Sequence, residues 1–347
     1  FFSLNATATP VIYPLSLHDA LPISGEGEDA IALPHISYLD FSNYNLKYAT
    51  MNASGVWSGA KLDEAGSVGL YTSIARGGDG KLWISYYDAT NGNLKVARGP
   101  SSWTIKTVYS EGNLGLNTSI AIDGSNLPGV VFSSATTNNL WYAHLVGNEW
   151  TASLMGKGSA ADVGLHTSLA LSHFGQPYIA YRDDTAGLLK MAKNINGDWS
   201  GGWSTGLITD TVHAGTFSSV KLLDGYFPWV GFYDETHKDL ILGKWDTVEV
   251  NWEHETIAET EDVGRYVSVA IDSKGKPHMS YLDYTNQNLM YAYQKLDNTW
   301  EYEVVDHFGD VGYFTSLVLN SKDLPYISYY DKTNEQIKYA FYKIPGG

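Results

Sequence analysis

A sixteen-residue pattern recurs seven times along this chain, and that repeat limits the possible folds more than any other feature. The last copy reads "PYISYYDKTNEQIKYA" (325–340). Close copies are "PHISYLDFSNYNLKYA" (34–49), "LWISYYDATNGNLKVA" (82–97) and "PHMSYLDYTNQNLMYA" (277–292). More divergent ones are "PGVVFSSATTNNLWYA" (128–143), "PYIAYRDDTAGLLKMA" (177–192) and "PWVGFYDETHKDLILG" (228–243). The steps between copies are 48, 46, 49, 51, 49 and 48 residues. A fixed period of this size marks a repeat architecture.

Further markers keep the same frame. Twelve residues after each start stands Leu46, Leu94, Leu140, Leu189, Leu240, Leu289 or Ile337. Thirteen residues before a start stands Gly69, Gly115, Gly164, Gly215, Gly264 or Gly312. A tryptophan (Trp57, Trp103, Trp150, Trp203, Trp252 or Trp300) precedes most of those glycines by twelve. Each unit carries four strand signals: "YTSIA" or "HTSLALS", then "YISYYD", then "LKYAFY", then a run that opens at the tryptophan, such as "WEYEVV". These runs are β-branched and aromatic and end in Gly, Asn or Asp. Four antiparallel strands in about 48 residues make one propeller blade, and a blade buries its faces only against its neighbours. The predicted fold is all-β: one seven-bladed β-propeller of four-stranded antiparallel blades.

The repeat also shows which residues serve the fold. Tyr38, Tyr86, Tyr181, Tyr281 and Tyr329 share one position with Phe132 and Phe232, so that position reads as packing between blades. Asp40, Asp88, Asp183, Asp234, Asp283 and Asp331 share another with Ser134. Asp and Ser both accept hydrogen bonds from nearby backbone N–H groups, so this position reads as a turn cap.

The first copy has no recognisable inner strand, and the last ends near Tyr342 after its third. A strand that closes the ring is therefore expected before residue 34, and "TPVIY" (9–13) has the composition for it. The surrounding "LSLHDALPIS" looks like translated adapter sequence. Residues 1–24 are read as a non-native or unstructured segment, and 25–347 as a single propeller domain. The segment lacks the basic start and clean apolar core of a signal peptide.

A formal net charge of −16 argues against nucleic acid as a partner. The absence of cysteine removes disulfides and thiolate metal sites. No apolar run reaches the roughly 18 residues of a membrane span.

The pattern "TSLAID-x-x-G-x-P-x-ISYYD-x-T-N-x-x-LKYA" resembles repeats of exported bacterial and archaeal β-propeller proteins loosely grouped with the sialidase-like superfamily. The resemblance covers about residues 34–342 and implies an extracellular or cell-surface location. The Asp-boxes and arginine triad that mark sialidases are missing. Only Arg76, Arg98, Arg182 and Arg265 are present, and the first two fall at strand ends away from the expected ligand face.

In a propeller the loop entering the inner strand and the loop between the second and third strands share one mouth of the channel. The residue before "TS" lines it: Tyr71, Asn117, His166, Phe217, Tyr266 or Phe314. Departures from the repeat gather there in copies four to six. Arg182 replaces Leu or Tyr, Arg265 takes a position held elsewhere by Leu, Thr or Tyr, and His166, His213 and His237 fall on the same face. The candidate ligand-binding set is Tyr71, His166, Arg182, His213, Arg265 and Tyr266, suited to an anionic or hydroxyl-rich glycan. Asp162, Asp262 and Asp310 have the chemistry of calcium ligands but lie on different blades, so neither a metal site nor a cofactor is expected. The reading is a non-catalytic propeller that binds glycan or a cell-surface protein. The alternative is a polysaccharide lyase or glycoside hydrolase acting on an acidic glycan. For a lyase, Arg182 or Arg265 would neutralise the carboxylate, with His166, His213 and Tyr266 as base and acid; for a hydrolase the sequence offers too many acids to choose a pair.

Overall fold

The computed structural model describes residues 2–7, 16–19, 33–155, 163–194 and 202–342. These residues form 28 strands in seven four-stranded antiparallel sheets, with no helix. The chain is a seven-bladed β-propeller, as the repeat predicts. Blades 2 to 6 are each one contiguous stretch with strands in sequence order. The sixteen-residue repeat is the second and third strand of a blade, Pro325–Asp331 and Gln336–Tyr342 in the last copy. The glycine marker sits in the inner strand, as in Val311–Leu319, and the tryptophan opens or enters the outer strand, as in Trp300–Asp306.

Two N-terminal strands meet the ends of the ring. Ser16–Asp19 is the inner strand of blade 1, and Phe2–Thr7 pairs with Gln336–Tyr342 as the outer strand of blade 7. Ser16 pairs with Ser37 and Leu17 with Ile36, just as Ser73 pairs with Ser85 and Ile74 with Ile84 in blade 2. "SLHD" therefore occupies the register of the inner strand that could not be recognised from sequence. The segment read as unstructured carries these two paired strands. "TPVIY" (9–13) lies outside the described residues.

Second strands are buried at nearly every position because both blade faces are covered by neighbours. That is why they read as continuous apolar runs rather than alternating ones. The Gly and Leu markers touch each other across the blade boundary. A Cβ on Gly264, whose φ is +104°, would lie 2.8 Å from Leu240 Cα in the preceding blade. Gly69 stands against Leu46 in the same way, also at 2.8 Å. Only glycine permits both the left-handed backbone and this approach.

The shared aspartates cap the turn between second and third strands. Asp331 accepts from Asn334 N at 2.9 Å and from Asn334 Nδ2 at 2.8 Å, and Asp88 and Asp283 bond Asn91 and Asn286 alike. In copy three, Ser134 takes over by accepting from the Thr136 and Thr137 amides. Burial alone would raise the Asp331 carboxyl. Hydrogen bonds from Asn334 and Lys338 outweigh it and hold the group below the usual carboxylate range.

The shared tyrosine does more than fill space. The Tyr329 hydroxyl donates to Asp306 Oδ2 of blade 6 at 2.7 Å. Lys338 Nζ lies 2.9 Å from the carboxylates of both Asp306 and Asp331. Tyr86, Asp63, Lys95 and Asp88 repeat this group between blades 1 and 2. Beside Phe132 the acid is gone, and Tyr109 stands in its place with its ring 6.3 Å away. The hydroxyl is thus paired in the seams that carry an acid and missing from one that does not.

Replacing Gly264 by alanine is expected to destabilise the fold by more than about 2 kcal/mol, from overpacking and left-handed strain together. Gly206→Ala, where a Cβ meets nothing within 4 Å, is expected to be near neutral. Urea unfolding of the two variants checks the contrast.

Candidate functional site

The mouth is built by a distortion shared by six inner strands. Each breaks register twice around its glycine. Within that bulge Tyr71, Asn117, His166, Phe217, Tyr266 and Phe314 adopt left-handed backbone, with φ between 50° and 56°. Such a conformation costs a non-glycine residue about 1–3 kcal/mol and persists only where the surroundings enforce it. At four of the six places a hydroxyl from the inner strand of the next blade helps to hold it. Thr118 Oγ1 donates to the Tyr71 carbonyl of the blade before it at 2.7 Å, and Thr167 does the same to the Asn117 carbonyl. Ser218 Oγ and Thr315 Oγ1 donate to the His166 and Tyr266 carbonyls at 2.8 and 3.0 Å. The serine of each "TS" pair or its variant accepts from an inner-strand amide of the next blade. Ser73, Ser119, Ser168, Ser219 and Ser268 bond the N–H groups of Ile120, Leu169, Val220, Val269 and Leu317 at 3.0–3.2 Å.

This stitch fixes the direction of the side chains that surround the mouth. His166, Phe217, Tyr266 and Phe314 touch in succession, with ring centroids 4.9, 4.1 and 4.3 Å apart. They form an aromatic collar across blades 4 to 7. Tyr71 and Asn117 hold the equivalent places in blades 2 and 3. Burial of the His166 ring pushes its pKa down to about 4; Arg182 adds to the effect and Glu235 opposes it. Burial also raises the Tyr71 hydroxyl.

The charged candidates stand in separate seams. Arg182 lies between blades 4 and 5 and is 8% exposed. Its Nη1 donates to Thr216 Oγ1 and lies 3.1 Å from Glu235 Oε1, while Nε lies 2.6 Å from Asp184 Oδ1. Arg265 lies between blades 5 and 6. It clasps Asp262 with two bonds of 2.9 and 2.7 Å, and its guanidinium carbon stands over Tyr284, 3.8 Å from the ring centroid. Tyr233 completes that cluster by donating to Asp262 Oδ1 at 2.9 Å. Burial and this bond push the Tyr233 hydroxyl up to about 12. His213 is exposed at the rim, with its amide bonded to the Gly187 carbonyl. His237 bonds the turn cap Asp234 through Nδ1 at 2.7 Å.

The sequence reading of an open cationic cluster therefore changes in one respect: both arginines are already paired with carboxylates. Of the acids weighed as calcium ligands, Asp262 is taken by Arg265, Asp310 pairs with Lys332 at 3.0 Å, and Asp162 lies outside the described residues. Among the described residues no group of three or more His, Asp or Glu is placed to hold a metal ion. Sequence reasoning placed Phe217 and Phe314 at the mouth but left them out of the candidate ligand-binding set, and the structure brings both into the collar. It missed Thr216, Glu235 and Tyr284 because their roles depend on contacts between blades.

No protein-family model matches the sequence, and no curated protein matches it. Solved structures match the fold. The chain is similar to the six-bladed fucose-recognising lectin of Aleuria aurantia, with 12% identity over 86% of this chain and 97% of that one and a TM-score of 0.54. It is also similar to the polysaccharide lyase Uly1, with 9% identity over 96% and 90% and a TM-score of 0.58. A third structure, YCF48 from Cyanidioschyzon merolae, has 8% identity over 97% and 98% and a TM-score of 0.58. At these identities the likeness is one of fold.

The depressed imidazole gives a direct check. His166 is expected to stay neutral until the pH falls to about 4, well below the ordinary 6.5. Between those values the unfolded chain binds the extra proton, so this residue makes the fold lose stability as pH falls through that window. A carbon-detected NMR titration showing His166 protonated near pH 6.5 would contradict the desolvated collar.

Proposed function

We propose that the protein is a non-catalytic glycan-binding β-propeller of the extracellular space or cell surface, related to the exported sialidase-like propellers that its repeat resembles. The binding face is the channel mouth. Tyr71, His166 and Tyr266, with Phe217 and Phe314, supply flat apolar faces for sugar rings. Arg182, His213 and Arg265 with their acidic partners form a polar rim for sugar hydroxyls. The observation that carries this reading is the left-handed backbone retained by six non-glycine residues around one opening. Glycine would relieve the strain at each place, so the side chains are kept at a cost, and such cost collects at functional sites. Propeller lectins and a polysaccharide lyase among the similar solved structures lend support, since this fold carries sugar recognition in those proteins. A lyase would need a cation open to the substrate carboxylate, and the pairing of Arg182 and Arg265 weighs against that role. A cell-surface protein is the other class of partner that suits an aromatic face.

A glycan array run beside an assay for unsaturated products on acidic polysaccharides tests the proposal. The expected result is binding without turnover. Tyr266→Ala is expected to weaken the best neutral ligand about threefold to tenfold, the worth of one aromatic contact. Release of unsaturated products would favour the lyase, and binding untouched by Tyr266→Ala would move the site elsewhere.

A further inference from the structure

A cavity of about 850 Å3 lies between the outer parts of blades 4 and 5. Its position follows from strand direction. Asp239–Asp246 runs away from the collar, so Trp245 and the hairpin leading to Asn251–Ala258 belong to the opposite end of the molecule. Lys193, near the end of Leu188–Asn194, lies at that end too. The part of the cavity lined by Trp245, Lys193 and Asn251 therefore lies at the end away from the mouth.

Its lining combines two kinds of group. Trp245 and Trp252 meet edge to face, with centroids 5.5 Å apart at 72°. They form a right-angled aromatic corner, joined on the cavity wall by Tyr226, which is 42% exposed. Lys193 Nζ stands 5.8 Å from the Trp245 ring centroid. Among the described residues this ammonium makes no ion pair, whereas Arg182, Arg265, Lys332 and Lys338 all do. Asn251 adds a neutral polar group at this corner, and Asp210 lines the far, mouth-side end of the same groove. The volume falls within the roughly 300–1,000 Å3 of ligand pockets, which are largely apolar with a few placed polar groups.

We propose that this cavity binds a uronic acid residue of an acidic glycan. The sugar's apolar face lies on the tryptophan corner, and its carboxylate pairs with Lys193. An aromatic wall alone accepts any sugar. An unpaired cation held over that wall selects for a carboxylate, because a charge-assisted bond forms only with the ionised ligand. Asn251, beside the tryptophan corner, bonds the ring hydroxyls. The proposal rests on the reading that this propeller binds glycans, but it uses a different site.

The test is calorimetry with a galacturonate tetrasaccharide and its methyl ester, which keeps the shape and removes the charge. Wild-type protein is expected to bind the acid at least about tenfold more tightly than the ester, the worth of one charge-assisted bond. Lys193→Gln is expected to abolish that preference with the melting temperature unchanged, and Trp245→Ala to weaken both ligands. Tyr266→Ala at the mouth is expected to leave the preference intact. Equal binding of acid and ester, no binding of the acid, or a preference that survives Lys193→Gln would each overturn the proposal. If Tyr266→Ala removed acid binding and Lys193→Gln did not, glycan recognition at the mouth would stand and this second site would fall.

Discussion

Hydroxyl groups of the Thr–Ser pairs join the inner strands of neighbouring blades, and the rest of the molecule depends on that join. One hydroxyl donates to a carbonyl of the blade before it, and the next accepts from an amide of the blade after it. Each such bond contributes only about 1 kcal/mol net. Repeated around the ring, they cover the polar edges that the inner strands would otherwise leave unpaired beside the channel. They also hold the carbonyls of Tyr71, Asn117, His166 and Tyr266, four of the six residues in left-handed backbone. The Gly–Leu contact sets how closely the blades approach, and the Asp caps keep each second strand in register with its third. Packing between blades then follows, with Tyr86, Phe132, Phe232, Tyr281 and Tyr329 each 2% exposed or less.

A frame fixed this firmly leaves some positions free. The second residue of the stitch pair is serine in blades 2 to 7, and the residue before it is Thr or Ser in all of these but blade 6, which has Val267. The residue just before them is tyrosine, asparagine, histidine or phenylalanine, because its backbone is held by its neighbour's hydroxyl and its side chain is not. That division of labour suits a binding protein. The scaffold is paid for by backbone and hydroxyl bonds, and the collar is available for a ligand. Charge follows the same logic. The cations at the mouth are balanced within their own seams, by Asp262 for Arg265 and by Glu235 and Asp184 for Arg182, so they shape the rim rather than attract anions over distance.

Much of the fold was legible in the sequence because the repeat exposes it directly. Blade number, the order of the four strands, the turn caps and the covered aromatic position all follow from residues at constant offsets. The inner strand of blade 1 was not legible, because "SLHD" matches its equivalents only at Ser16 and Leu17. The site was legible in part. The offset before "TS" marked Tyr71, His166 and Tyr266. Pairing was harder to see: Arg265 and Asp262 are only three residues apart, but the bulge at Gly264 is what turns one toward the other. The groove between blades 4 and 5 left a fainter sign. Trp252 belongs to the repeat, and Trp245 is an extra tryptophan across the same hairpin, noticeable only once the strands are paired.

Native-state hydrogen exchange tests the central claim most directly, that the hydroxyl stitch holds the ring. The amides of Ile120, Leu169, Val220, Val269 and Leu317 are expected to exchange only through global unfolding. Amides of the outer strands, such as those of Thr104–Tyr109, are expected to exchange through local opening at much lower cost. If the five stitched amides exchanged as readily as the outer strands, the inner ring would not be the element on which the fold and its channel mouth depend.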